Sequence, residues 1–166
     1  MNQKSIFAPE FPEQINENGA RATAFFGFLF ALVAIVFPNW GLAAFLVYEY
    51  LSRVLYGPSI SVQSFLAGRL LRIIKPAPKW TAGAPKRFAQ FVGTAFTVSA
   101  LILLLLGQTL AAQSVLGVLA FFSFLEFSIG FCAACFLFAQ AIRFGLISRD
   151  YCDTCVVRYD RAADAS

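Results

Sequence analysis

Four apolar stretches dominate this chain, and lipid is their natural solvent. They run from about Ala22 to Phe37, Trp40 to Tyr56, Phe88 to Leu106 and Ala112 to Phe144. A helix that crosses a bilayer needs about 20 apolar residues, within a range of about 17–25. The third stretch, with its run LILLLL, fits that length, and the fourth is long enough to tilt or project. The first two are short. Pro38 and Asn39 between them are a turn signal, so a tight antiparallel hairpin is expected, with a re-entrant pair as the alternative. Composition agrees: 13% of the residues are charged, against about 25% in soluble domains. The expected fold is an all-α integral membrane protein, a four-transmembrane-helix bundle. Residues 20–144 would form the membrane domain, with residues 1–19 and 145–166 as cytoplasmic ends.

Charge placement gives an orientation. All thirteen Lys and Arg residues fall on one side of this arrangement. Lys4 and Arg21 precede the first helix, Arg53 is near the end of the second, and Arg69 to Arg87 carry six more cations. The remaining four, Arg143, Arg149, Arg158 and Arg161, are in the tail. The opposite turns, near Pro38-Asn39 and from Gly107 to Gln113, carry none. The positive-inside rule then puts both termini and the central loop in the cytoplasm. The net charge of +4 finds its counter-charge in anionic lipid headgroups, and nucleic-acid binding is not expected. The first 19 residues lack the cationic start of a signal peptide, so the first helix is expected to stay in the mature protein.

The central loop has two parts. From Ser61 to Lys75, apolar residues recur at helical spacing among Arg69, Arg72 and Lys75. That pattern suits a short cytoplasmic amphipathic helix in the headgroup layer, or one packed against the end of the bundle. Residues 75–85 (KPAPKWTAGAP) read as an extended strap, with Trp80 as an interfacial anchor.

Chemistry is confined to few side chains. The chain has no histidine, which removes the commonest metal ligand and general base. The four cysteines form two CxxC pairs, Cys132/Cys135 and Cys152/Cys155. Such spacing puts both sulfurs on one helical face, as dithiol exchange requires. If the helix breaks at Gly130, Cys132 lies at a new helix N-terminus, where a thiolate is favoured; if it continues, the pair is inert. The plain alternative is that these small residues only permit close helix packing, and that the tail pair has no role. The combined C-x2-C-x16-C-x2-C spacing formally fits zinc, but half of it lies in an apolar helix, so no metal and no cofactor is expected. Glu49 and Glu126 are acids inside apolar stretches and should find partners. Arg53 stands one turn beyond Glu49, so an ion pair and a shared Glu49–Arg53–Glu126 cluster are expected. That cluster would serve as structural glue or as proton handling.

Three segments resemble a known family. GFCAAC at Gly130 to Cys135 is similar to the GFCxxC signature of a bacterial membrane family, domain of unknown function 4395. APKRFAQFVG at Ala84 to Gly93 resembles that family's entry into its third helix, and INENGARATAFFGF near the first helix also fits. The resemblance implies a four-helix protein of the bacterial inner membrane with Cys132 and Cys135 as signature cysteines. Some members occur beside thioredoxin-like or rhodanese-like domains, which implies a partner of that kind by association. The leading expectation is a membrane thiol-disulfide or sulfur-handling protein, with Cys132, Cys135, Cys152 and Cys155 as its thiols and Glu49 and Glu126 as proton partners. The alternatives are a non-catalytic accessory subunit of a larger membrane complex or a homo-oligomer, and a small-solute transporter.

Overall fold

Pro38 cannot extend a helix from its own N–H, and the chain duly stops on either side of it. In the computed structural model, which describes residues 14–144, helix α1 (Glu17–Val36) ends just before Pro38 and α2 (Trp40–Tyr56) begins just after Asn39. Both starts are capped by asparagine. Asn16 accepts from the Asn18 N–H at 3.0 Å, and Asn39 from the Gly41 N–H at 2.7 Å. Helix α3 (Val62–Ile74) follows a short 3-10 turn, and α4 (Gly83–Leu105) and α5 (Thr109–Ile129) follow in turn. Helix α6 (Ala133–Arg143) closes the described chain.

Between α3 and α4 the expected strap is partly a strand. β2 (Trp80–Ala82) pairs antiparallel with β1 (Gln14–Asn16), with Ile15 opposite Thr81. This clasp ties the start of α1 to the start of α4. It is reinforced by the Glu17 N–H donating to the Lys79 carbonyl at 2.7 Å and by the Asn18 side-chain amide donating to the Ala77 carbonyl at 2.7 Å.

The helices pack as α1 on α5 and α3, α2 on α4, and α4 on α5 and α6. Small residues line the contacts: Ala31, Ala34, Ala43, Ala100 and Ala112 are all buried. Small side chains of this kind let helices approach closely. Leu46, Tyr50, Leu116 and Leu119 fill the centre with Ala34 and Ala100. Leu32, Val33, Ile102, Val118 and Phe121 instead face outward and leave an exposed apolar surface. At the end remote from the clasp, Gln113 donates to the Ile35 carbonyl at 2.8 Å and fixes α5 to α1.

Three helices, α1, α4 and α5, are long and apolar enough to cross a membrane. The structure departs from the expected boundaries in three places. Helix α1 starts at Glu17 rather than near Ala22, because the Asn16 cap recruits a polar first turn. Helix α4 starts at Gly83 rather than near Phe88, with Pro85 in its first turn, a position where proline's missing donor costs nothing. The expected single helix from Ala112 to Phe144 is two helices. Gly130, at φ 76°, ends α5 in the left-handed conformation, which glycine adopts without strain. The short helix in the central loop is present. Gln63 and Ala67 are buried where it meets the bundle, whereas Phe65, Ile73 and Ile74 stay exposed.

Candidate functional site

The charged residues of the described helices gather at one end, where α1 starts, α2 ends, α4 starts and α5 ends. Glu49, fully buried near the end of α2, accepts three hydrogen bonds. They come from the Ser61 hydroxyl at 2.7 Å, the Val62 N–H at 2.9 Å and the Gln63 N–H at 3.0 Å. Those N–H groups are unsatisfied donors at a helix start, so Glu49 is a cap for α3. The expected ion pair with Arg53 is not what its oxygens make. Arg53 instead donates to the Gln63 side-chain oxygen at 2.7 Å and stacks over the Tyr50 ring at 4.5 Å.

Glu126 is held from another direction. Lys86, in the first turns of α4, donates to its carboxylate, and the two side chains are 10% and 19% exposed. Glu49 and Glu126 thus spend their hydrogen bonds elsewhere, on α3 and on Lys86, while both carboxylates still act on Arg53 through space. Lys86 counted only as a loop cation in the sequence. Its place directly after Pro85, four residues before Gln90, was the available signal that it belongs to a helix.

The break after α5 positions the cysteines. Arg21 of α1 donates to the Phe127 carbonyl at 2.9 Å and to the Ser128 carbonyl at 2.7 Å. It thereby satisfies carbonyls that the end of α5 leaves open and places positive charge at that helix's negative pole. A Cβ at Gly130 would stand 3.2 Å from the Glu17 carboxylate, so α1 and the turn fit closely. Two residues later Cys132 caps α6, its sulfur accepting from the Cys135 N–H at 3.3 Å. Cys132 and Cys135 are joined as a disulfide with Cα atoms 5.2 Å apart. The pair is thus at the polar end of the bundle, half-buried, and not inside a continuous apolar helix. Cys152 and Cys155 lie outside the described residues.

A cavity of about 700 Å³ opens between these elements. Tyr50, Arg53, Lys86, Gln90, Glu126 and Cys132 contribute its polar lining, and Leu71, Trp80, Phe96, Leu119 and Leu137 its apolar walls. Its size suits a small organic molecule, for which pockets run about 300–1,000 Å³. Two buried polar atoms on lining residues have no hydrogen-bond partner: the Arg53 Nε and the Gln90 Oε1.

Comparison with protein families gives a match to "Domain of unknown function (DUF4395)" over residues 15–143. The chain belongs to this family. The DUF4395 match takes in Cys132, Cys135, Glu49 and Glu126, together with Arg53, Lys86 and Gln90, and leaves Cys152 and Cys155 beyond it. No curated protein and no solved structure matches the chain. The site comprises a disulfide at a helix start, the Lys86–Glu126 ion pair, and an amphipathic cavity that both line.

Proposed function

We propose that this DUF4395 protein is a membrane thiol-disulfide or sulfur-handling protein in which Cys132 attacks and Cys135 resolves. The observation that carries the reading is the place of Cys132, at the cap of α6 and in the wall of the cavity. A helix N-terminus favours the thiolate, which is the nucleophile in exchange. A second thiol one turn on is placed to displace the mixed disulfide. Cys152 and Cys155 serve as an exchange pair that hands equivalents to a thioredoxin-like or rhodanese-like partner.

The topology proposed with it has four crossings. At 17 residues, α2 is about 26 Å long and spans with its ends at the headgroups. Its antiparallel packing on α4 supports that placement. The cation-rich end faces the bacterial cytoplasm by the positive-inside rule, so the cysteines exchange with cytoplasmic thiols.

Differential alkylation and mass spectrometry of protein from native membranes test the function. Cys132 and Cys135 should change between thiol, disulfide and persulfide states with the supply of reductant or sulfide. Invariant cysteines, with a Cys132→Ser/Cys135→Ser variant that grows and behaves as wild type, would end the reading.

A further inference from the structure

The geometry points to a membrane quinone as the small molecule that occupies the cavity and takes electrons from the Cys132/Cys135 dithiol; this rests on the thiol reading above. Four features of the cavity agree on that ligand class. Its walls, from Leu71, Phe96 and Leu137 among others, are largely apolar, which suits a quinone ring and its isoprenoid tail. Its two lining cations are compensated: Lys86 pairs with Glu126, and Glu49, which does not itself line the cavity, acts on Arg53 through space, so the site does not demand an acidic head. It offers one donor, the Arg53 Nε–H, and one acceptor, the Gln90 Oε1, neither with a partner. Leaving such buried groups unpaired is costly. A quinone oxygen accepts from the first, and the hydroxyl of the quinol donates to the second. Cys132 lines the same cavity, which brings the thiolate to the ring.

The transfer balances without a further reagent. The Cys132 thiolate adds to a quinone ring carbon and forms an S–C bond. The Cys135 thiolate then attacks the Cys132 sulfur, the S–S bond forms, and the S–C bond breaks with its electron pair passing to the ring. The two protons released by the thiols finish on the two quinone oxygens. The dithiol is oxidised by two electrons, and the quinone leaves as quinol.

The test uses the full-length protein in lipid nanodiscs and a short-chain benzoquinone as probe. Binding is read by quenching of Trp80 in a Trp40→Phe background. To separate binding from chemistry it is measured in the Cys132→Ser/Cys135→Ser variant. Saturable quenching is expected, weakened at least tenfold by Arg53→Met and by Gln90→Leu. Gly68→Leu should abolish it. Gly68 lines the cavity and a Cβ there has nothing within 4 Å, so this variant fills the space without touching a polar contact. Circular dichroism should show unchanged helicity in each. Quenching that does not saturate, or that is equal across folded variants, overturns the assignment. So does displacement of the quinone by a long-chain fatty acid at equal or lower concentration, which would mark an anionic-lipid site. In the reduced wild type the same quinone should convert Cys132 and Cys135 to the disulfide. Cysteines that cycle with protein thiols while no quinone binds sink this inference alone. Quinone bound without oxidation of the dithiol sinks the electron transfer.

Discussion

Ser61 donates its hydroxyl to the Glu49 carboxylate and accepts, at the same oxygen, from the Ser64 N–H at 3.2 Å. The two side chains between them satisfy the first three N–H groups of α3. Glu49→Gln replaces one acceptor oxygen by a donor that faces other donors. The change should loosen α3 by about 1–3 kcal/mol, the scale of a lost charge-assisted bond with a buried group left unpaired. Hydrogen exchange should then speed up at Val62, Gln63 and Ser64 while α4 and α5 keep their protection.

Lys86 and Glu126 make a different forecast, because each is the other's compensation. Lys86→Met leaves a largely buried carboxylate without its partner and should cost about 3 kcal/mol. The double variant Lys86→Met/Glu126→Leu removes both charges and should recover most of that loss. Thermal denaturation of the two singles and the double in one detergent gives the coupling energy. Equal and additive losses would show that the contact holds nothing together.

Cys132 has a structural part that serine can play and alanine cannot. In a Cys135→Ser background, Cys132→Ser keeps a side-chain acceptor at the start of α6, whereas Cys132→Ala loses it at a cost of about 1 kcal/mol. The alanine variant should unfold earlier and exchange faster along α6, with no difference between the two at α1. Working without the second cysteine removes the disulfide from the comparison.

At Gly93 a Cβ would overlap the Tyr50 ring at Cδ1 and Cε1. Gly93→Ala should therefore push α2 off α4 or turn the Tyr50 ring, a cost of about 1–3 kcal/mol. Gly68→Ala meets no neighbour and should be neutral or stabilising by up to about 1 kcal/mol. The pair of melting temperatures separates a packing glycine from a permissive one.

Hydropathy located the helices well because apolar runs of this kind can only be hidden by lipid or by each other. It failed at their ends. The first turns of α1 and α4 are polar, and what makes them helical is a cap at Asn16 and a proline at Pro85. The break at Gly130 was harder still. The letters from Ala112 to Phe144 stay apolar across it, and the groups that make the break tolerable come from Arg21, over a hundred residues earlier. Spacing suggested Arg53 for Glu49, since neighbours on one helix are all that spacing can show. The partners that formed are Ser61 for Glu49 and Lys86 for Glu126, and both depend on how separate helices meet. The cysteine pair was legible as a motif, but its depth was not, because depth follows from the break.

Because Ile15 pairs with Thr81, synthesis must pass α1, α2 and α3 before the clasp can shut. The wall formed by Trp80 consequently takes shape late, as the next apolar segment is arriving at the membrane. A half-made chain shows its surroundings an open doorway at the head of α1, with the Glu17 N–H and the Asn18 amide still waiting for the carbonyls of Lys79 and Ala77.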